Sequence, residues 1–128
     1  MSAITDARAV LADAVTGAGI ECQPYAPDSL NPPGAFVDSI SVDYASGSGF
    51  SFCATGTASA QIITAAQRHD RAAGLQWLED LAPEVLRRLE AIPGVRVLSA
   101  ESGTVEVGTQ TVPAVLYTVQ FSTSEGGP

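Results

Sequence analysis

Lysine is absent: every one of the six basic residues in this 128-residue chain is an arginine (Arg8, Arg68, Arg71, Arg87, Arg88, Arg96). That excludes a Schiff-base lysine, a P-loop lysine and a kinase-type lysine at once. Histidine occurs once, at His69. The pair His69–Asp70 therefore lacks the second histidine of an HD-type metal site, and His69 reads as the residue before an Asp70 helix cap. No serine stands in a GxSxG elbow, which removes the Ser/His/Asp arrangement as well. Cysteine occurs only at Cys22 and Cys53. These fall in different expected strands without CxxC spacing, so they read as reduced thiols, and two thiols alone cannot hold a tetrahedral metal. No stretch approaches the roughly 18 apolar residues of a membrane span. The opening MSAITDARAVLADAV has early acids and no uninterrupted apolar region, so nothing is expected to direct the chain to a membrane or to export. No metal, no cofactor and no catalytic residue is expected.

What is present in excess is negative charge. Fourteen acids against six bases leave −8, which keeps a domain soluble and disfavours wrapping nucleic acid, since that needs cations to displace counterions. An acidic wall beside DNA would repel it and let it slide. With 45% apolar and only 16% charged residues, the chain has the composition of one folded domain over 1–128. Residues 1–4 and 123–128 are expected to be loose.

Periodicity locates the spine at Asp70–Ile92. Leu75, Leu78, Ala82, Val85, Leu89 and Ile92 recur at steps of three or four, widened by Trp77, Leu81 and Leu86, as in an amphipathic helix covering a sheet. Pro83 must kink this helix or start a second one. A shorter helix is expected from Asp6 to Thr16, capped by Thr5 and left through Gly17 and Gly19. An extended piece over Ile20–Tyr25 and a proline-rich loop over Ala26–Gly34 follow.

Alternation predicts a strand over Ala35–Tyr44, with Phe36, Ile40, Val42 and Tyr44 on one face and Asp38 as a polar intruder. Ala45–Ala60 reads as a long excursion or arm in which Phe50 and Phe52 want a partner surface, the competing reading being a strand bent or bulged at Gly56. Gln61–Ala66 completes the strand before the spine. Then come Val95, Val97 and Ser99 on one face with Leu98 on the other, an interruption at Glu101–Gly103, a turn over Gly108–Thr111, and a regular strand through Val115, Tyr117, Val119 and Phe121. Asp38 and Asp43 lie on opposite faces of a regular strand with no third ligand, which disfavours a metal role. The order α-β-β-β-α-β-β predicts an α+β fold: one mixed, mainly antiparallel sheet with the short and the long helix packed on one face.

This order, over essentially the whole chain, resembles the tail terminator or tail-completion proteins of long-tailed, siphovirus-type bacteriophages. The phrases AGIECQPYAPDSLNPPGAFV, SVDY, RHDRAAGLQWLEDL and VRVLSAESGTVEVGTQTVPAVLYTVQF carry the likeness. The resemblance implies a non-enzymatic virion protein at the tail–neck junction, assembled in the host cytoplasm. Its partners would be itself in a ring, usually a hexamer, the tail tube that it caps, and the neck proteins, with DNA passing through the lumen unbound. It would make Phe50 and Phe52 subunit or tube contacts, and Asp28, Asp38, Asp43 and Glu101 lumen or surface charge. The small-residue run Ala54–Ala60 departs from the family's pattern and leaves the register of the third strand open. A head–tail connector would share this composition. A small-molecule-binding domain would instead show a monomer with a closed apolar cavity around Trp77 and Tyr117.

Overall fold

The computed structural model describes residues 3–27, 33–44, 53–66, 71–107 and 110–126. They form α1 (Ala3–Ala18), β1 (Cys22–Gln23), β2 (Gly34–Tyr44), β3 (Cys53–Ala65), α2 (Arg71–Glu90), β4 (Arg96–Val107) and β5 (Gln110–Gly126). The strands make one sheet in the order β1-β2-β3-β5-β4. Only β1 and β2 run parallel; the other pairs are antiparallel. The fold is α+β with a mixed, mainly antiparallel sheet and the expected element order.

Both helices owe their ends to glycine. Gly19, at φ +122°, leaves α1 with its N–H on the Thr16 carbonyl at 3.2 Å, a backbone conformation that a Cβ would strain. The Thr16 hydroxyl donates to the Ala12 carbonyl at 2.9 Å and accepts the Cys22 N–H at 3.0 Å, tying the helix exit to β1. Gly17, by contrast, stays inside the helix. Beyond α2, Gly94 at φ +82° turns the chain into β4. Pro83 neither starts a second helix nor ends the first; α2 passes through it. Pro83 and Glu79, whose carbonyl loses a partner there, are both exposed, so water reaches the freed group.

The stripe read from periodicity is the buried one. Leu78, Val85 and Leu89 of α2 are fully buried, each contributing about 1.5–3 kcal/mol of apolar transfer. They share one core cluster with Leu11 and Val15 of α1 and with Val37, Ile62, Tyr117 and Val119 of the sheet. Trp77 remains 40% exposed, so the stripe widens only as far as Leu81, which is partly buried against the core.

Two β-bulges correct the expected faces. In β2 the register shifts between Val37, opposite Ile62, and Ile40, opposite Ala60. One extra residue there returns both Val37 and Ile40 to the core side and places Phe36 on the other. The polar intruder Asp38 is thus part of the bulge. In β4 the shift lies between Val97, opposite Val119, and Ser99, opposite Thr118; the extra residue is Leu98, 51% exposed. Three further expectations change. The small-residue run belongs to β3, which pairs with β5 without a shift from Cys53 to Ala65, so no bulge falls at Gly56. Glu101–Gly103 do not interrupt β4, because each keeps a partner on β5. Thr123–Gly126, expected to be loose, pair with β3, and α1 begins at Ala3. The remaining part of the arm, with Phe50 and Phe52, and the residues Gly108 and Thr109 of the expected turn lie outside the described residues.

Candidate assembly surface

Of the residues singled out for interface and charge, the three that are described do not converge on one place. Phe50, Phe52 and Asp28 lie outside the described residues. Asp38 is exposed on the β2 bulge, Asp43 occupies the β2 position opposite Thr57, and Glu101 is exposed on β4. With β3 and β5 between them, β2 and β4 stand three strand spacings apart, about 14 Å. Among the described residues no three His, Cys, Asp or Glu side chains group as a metal site.

A residue that sequence reading passed over organises one edge of the sheet. Arg8, on α1, donates from Nη1 to the Pro24 carbonyl at 2.9 Å and the Val37 carbonyl at 3.0 Å, and from Nη2 to the Asp38 carbonyl at 3.1 Å. Its guanidinium carbon lies 4.5 Å from the Tyr25 ring centroid, a cation–π contact. β1 pairs with β2 only at Ala35 and Phe36. Arg8 therefore takes over at the next two carbonyls, where the bulge would otherwise leave them without a strand partner. A planar fork of donors suits this task, and a lysine ammonium would not.

The opposite edge has no such cover. Among the described residues β4 neighbours only β5, and from Ser99 to Val107 it pairs without a bulge. Ala100, Glu101, Ser102, Gly103, Thr104 and Glu106 are exposed. The Ser102 hydroxyl ties it to α2, donating to Glu79 Oε2 at 2.7 Å. Its outward backbone N–H and C=O groups thus have no strand partner among the described residues. The first half of the signal was legible, since SAESGTVEV has neither proline nor lysine; its place at the margin of the sheet was not.

The structure also has a cavity of about 450 Å³, lined by Ala7, Val10 and Leu11 of α1, Ile92 and Val95 of the α2–β4 connection, and Phe121 of β5, with Asp6 at its polar side. It is not the cavity around Trp77 and Tyr117 that a ligand-binding domain would have shown. Tyr117 is instead packed into the core at 1% exposure, its hydroxyl without a hydrogen-bond partner among the described residues, and burial pushes that phenol up to about 12. Burial likewise pushes the Cys22 thiol up to about 12, far from a reactive thiolate. On the surface of α2, hydrogen bonds from Arg87 and Arg88 hold the Glu84 carboxyl down to about 2, with both guanidinium Nε atoms 3.0 Å from its oxygens.

No protein-family model matches this chain, and no curated protein matches it.

Proposed function

We propose that this protein is a structural virion protein of the tail-terminator kind, which assembles as a ring on the phage tail tube, ends its polymerisation and offers a surface to the neck. The reading rests on the resemblance, and the observation that supports it is the α-β-β-β-α-β-β order, because element order is what the resemblance is made of. The charge of −8 suits a wall along which DNA slides rather than binds. In this reading Phe50 and Phe52 meet a neighbouring subunit or the tube, and Asp28, Asp38, Asp43 and Glu101 supply lumen or surface charge. A head–tail connector is the near alternative. A small-molecule-binding domain is favoured by one observation, the apolar cavity beside Phe121, whose volume falls in the range of ligand pockets.

Native mass spectrometry across a concentration series, with negative-stain images, tests the proposal. A closed ring with a central hole, or a monomer that becomes a ring when purified tail tubes are added, is the expected result. A monomer that ignores the tubes overturns it and turns attention to the cavity. Replacing Phe50 and Phe52 by serine should leave the domain folded and weaken ring formation or capping; unfolding would make those rings core residues.

A further inference from the structure

An edge strand offers what a side-chain patch does not: a row of backbone donors and acceptors at a fixed spacing, which only another extended chain can match. Proteins blunt such edges with prolines, lysines, bulges or a covering element. Between Ser99 and Val107, β4 has no proline, no lysine and no bulge, and among the described residues β5 is its only strand neighbour. Gly103, midway along, has no heavy atom within 4 Å of where a Cβ would stand, so nothing covers the face of the strand at that point and nothing there overhangs the edge. The single bulge of β4, at Leu98, lies at the start of the strand and leaves the rest regular.

Charge selects the kind of chain. The open stretch has Glu101 and Glu106, and Glu79 of α2 reaches it through Ser102; the only basic residue on β4 is Arg96, on the far side of the bulge. A second copy adding its own β4 would bring two acidic edges together, which is unfavourable across strands. Glu101 and Glu106, five residues apart on a regular stretch, face opposite sides of the sheet, so a chain with lysine or arginine on both of its faces would be attracted. We infer that the β4 edge is a docking site for an extended, basic segment of a partner protein, which adds to the sheet as a sixth strand beside Ser99–Val107. The open edge carries this inference and the acids choose the partner; neither depends on the tail-terminator reading.

The test uses the full chain, isotopically labelled, and a peptide of about nine residues rich in valine and threonine with lysines five apart, one on each face, long enough to span the open stretch. Amide exchange and chemical shifts are followed by NMR. The expected result is slowed exchange at alternate β4 amides between Ser99 and Val107 and at no other strand. The doubly charge-reversed variant Glu101→Lys with Glu106→Lys should bind the peptide at least about tenfold more weakly, and a glutamate-for-lysine version of the peptide should not protect β4. Both substituted positions are exposed, and an unchanged melting curve shows that the variant is folded. Protection elsewhere, at the apolar cavity for example, overturns the inference, as does equal affinity for wild type and folded variant. Concentration-dependent protection of β4 without peptide would mean that a second copy is the occupant, which also overturns it. Ring formation on tail tubes is a separate readout, so the two proposals fail independently.

Discussion

The two margins of the sheet solve the same problem in opposite ways. At the β2 margin the ladder to β1 stops after Phe36, and an arginine from α1 receives the next two carbonyls, Val37 and Asp38. At the β4 margin nothing in the described residues takes that part, although the strand there runs without a bulge from Ser99 to Val107. The β2 margin therefore draws on a side chain from α1, whereas β4 is held by its pairing with β5 and by the Ser102–Glu79 tie to α2. This is the difference between an edge built into the fold and an edge left for something else.

The largest perturbation removes the comparison altogether. Leu78→Asp would bury an unpaired charge in the core that underlies both margins and should cost more than about 4 kcal/mol; in a urea titration the variant should be unfolded or nearly so. If it stays folded, the buried stripe of α2 has been misassigned. The next separates the margins. Arg8→Ala strips three carbonyls of a charged donor and should cost about 2 kcal/mol, with faster amide exchange around the β2 bulge and none of it at β4. Equal loosening of both margins would show that Arg8 stabilises the molecule as a whole.

Tyr117, on the strand between β3 and β4, gives a smaller effect of opposite sign. Its hydroxyl has no hydrogen-bond partner among the described residues, so Tyr117→Phe should stabilise by about 1 kcal/mol. The same substitution alters the alkaline limb. The folded-state values of Cys22 and Tyr117 are both raised to about 12, from 9.0 and 10.0. The unfolded chain thus releases these protons first. Their contribution is complete below pH 9.0 and is lost as pH rises toward about 12. Thermal melts over that window should fall less steeply for Tyr117→Phe. Last, Glu101→Gln and Glu106→Gln on the open margin should change stability by less than about 0.5 kcal/mol, in contrast with Arg8→Ala. A large loss would mean that β4 is not an independent margin.

Much of this was legible in the chain, for reasons specific to each part. The 3.6-residue recurrence of Leu78, Val85 and Leu89 survives any detail of the sheet, because one face of a long helix must be buried somewhere. The alternation of Val115, Tyr117, Val119 and Phe121 is equally robust, since β5 is regular and central. The faces of β2 and β4 were not recoverable. A bulge shifts parity by one residue, and only pairing with a partner strand shows where the shift falls; Phe36 and Ile40 therefore looked alike in sequence and are not. The small residues Ala54–Ala60 looked like a departure from the family's pattern and left the register open, whereas β-propensity measures fit to neighbours. In β3 those neighbours are β2 and β5, which leave little room for larger side chains at Ala58 and Ala60, both fully buried.

The candidate surfaces divide along the same line. Sequence by itself determined the element order, the buried faces of the regular elements, the excess of acid and the lack of lysine, because each depends on local periodicity or on composition. Only the tertiary structure decided that Arg8 caps a bulge 29 and 30 residues away, that Asp38 and Glu101 stand at opposite margins, and that β4 is the strand left with an open side. Those are facts about which strands become neighbours. Neighbourhood is set by the packing of the whole sheet against α1 and α2, and no single stretch of the chain encodes it.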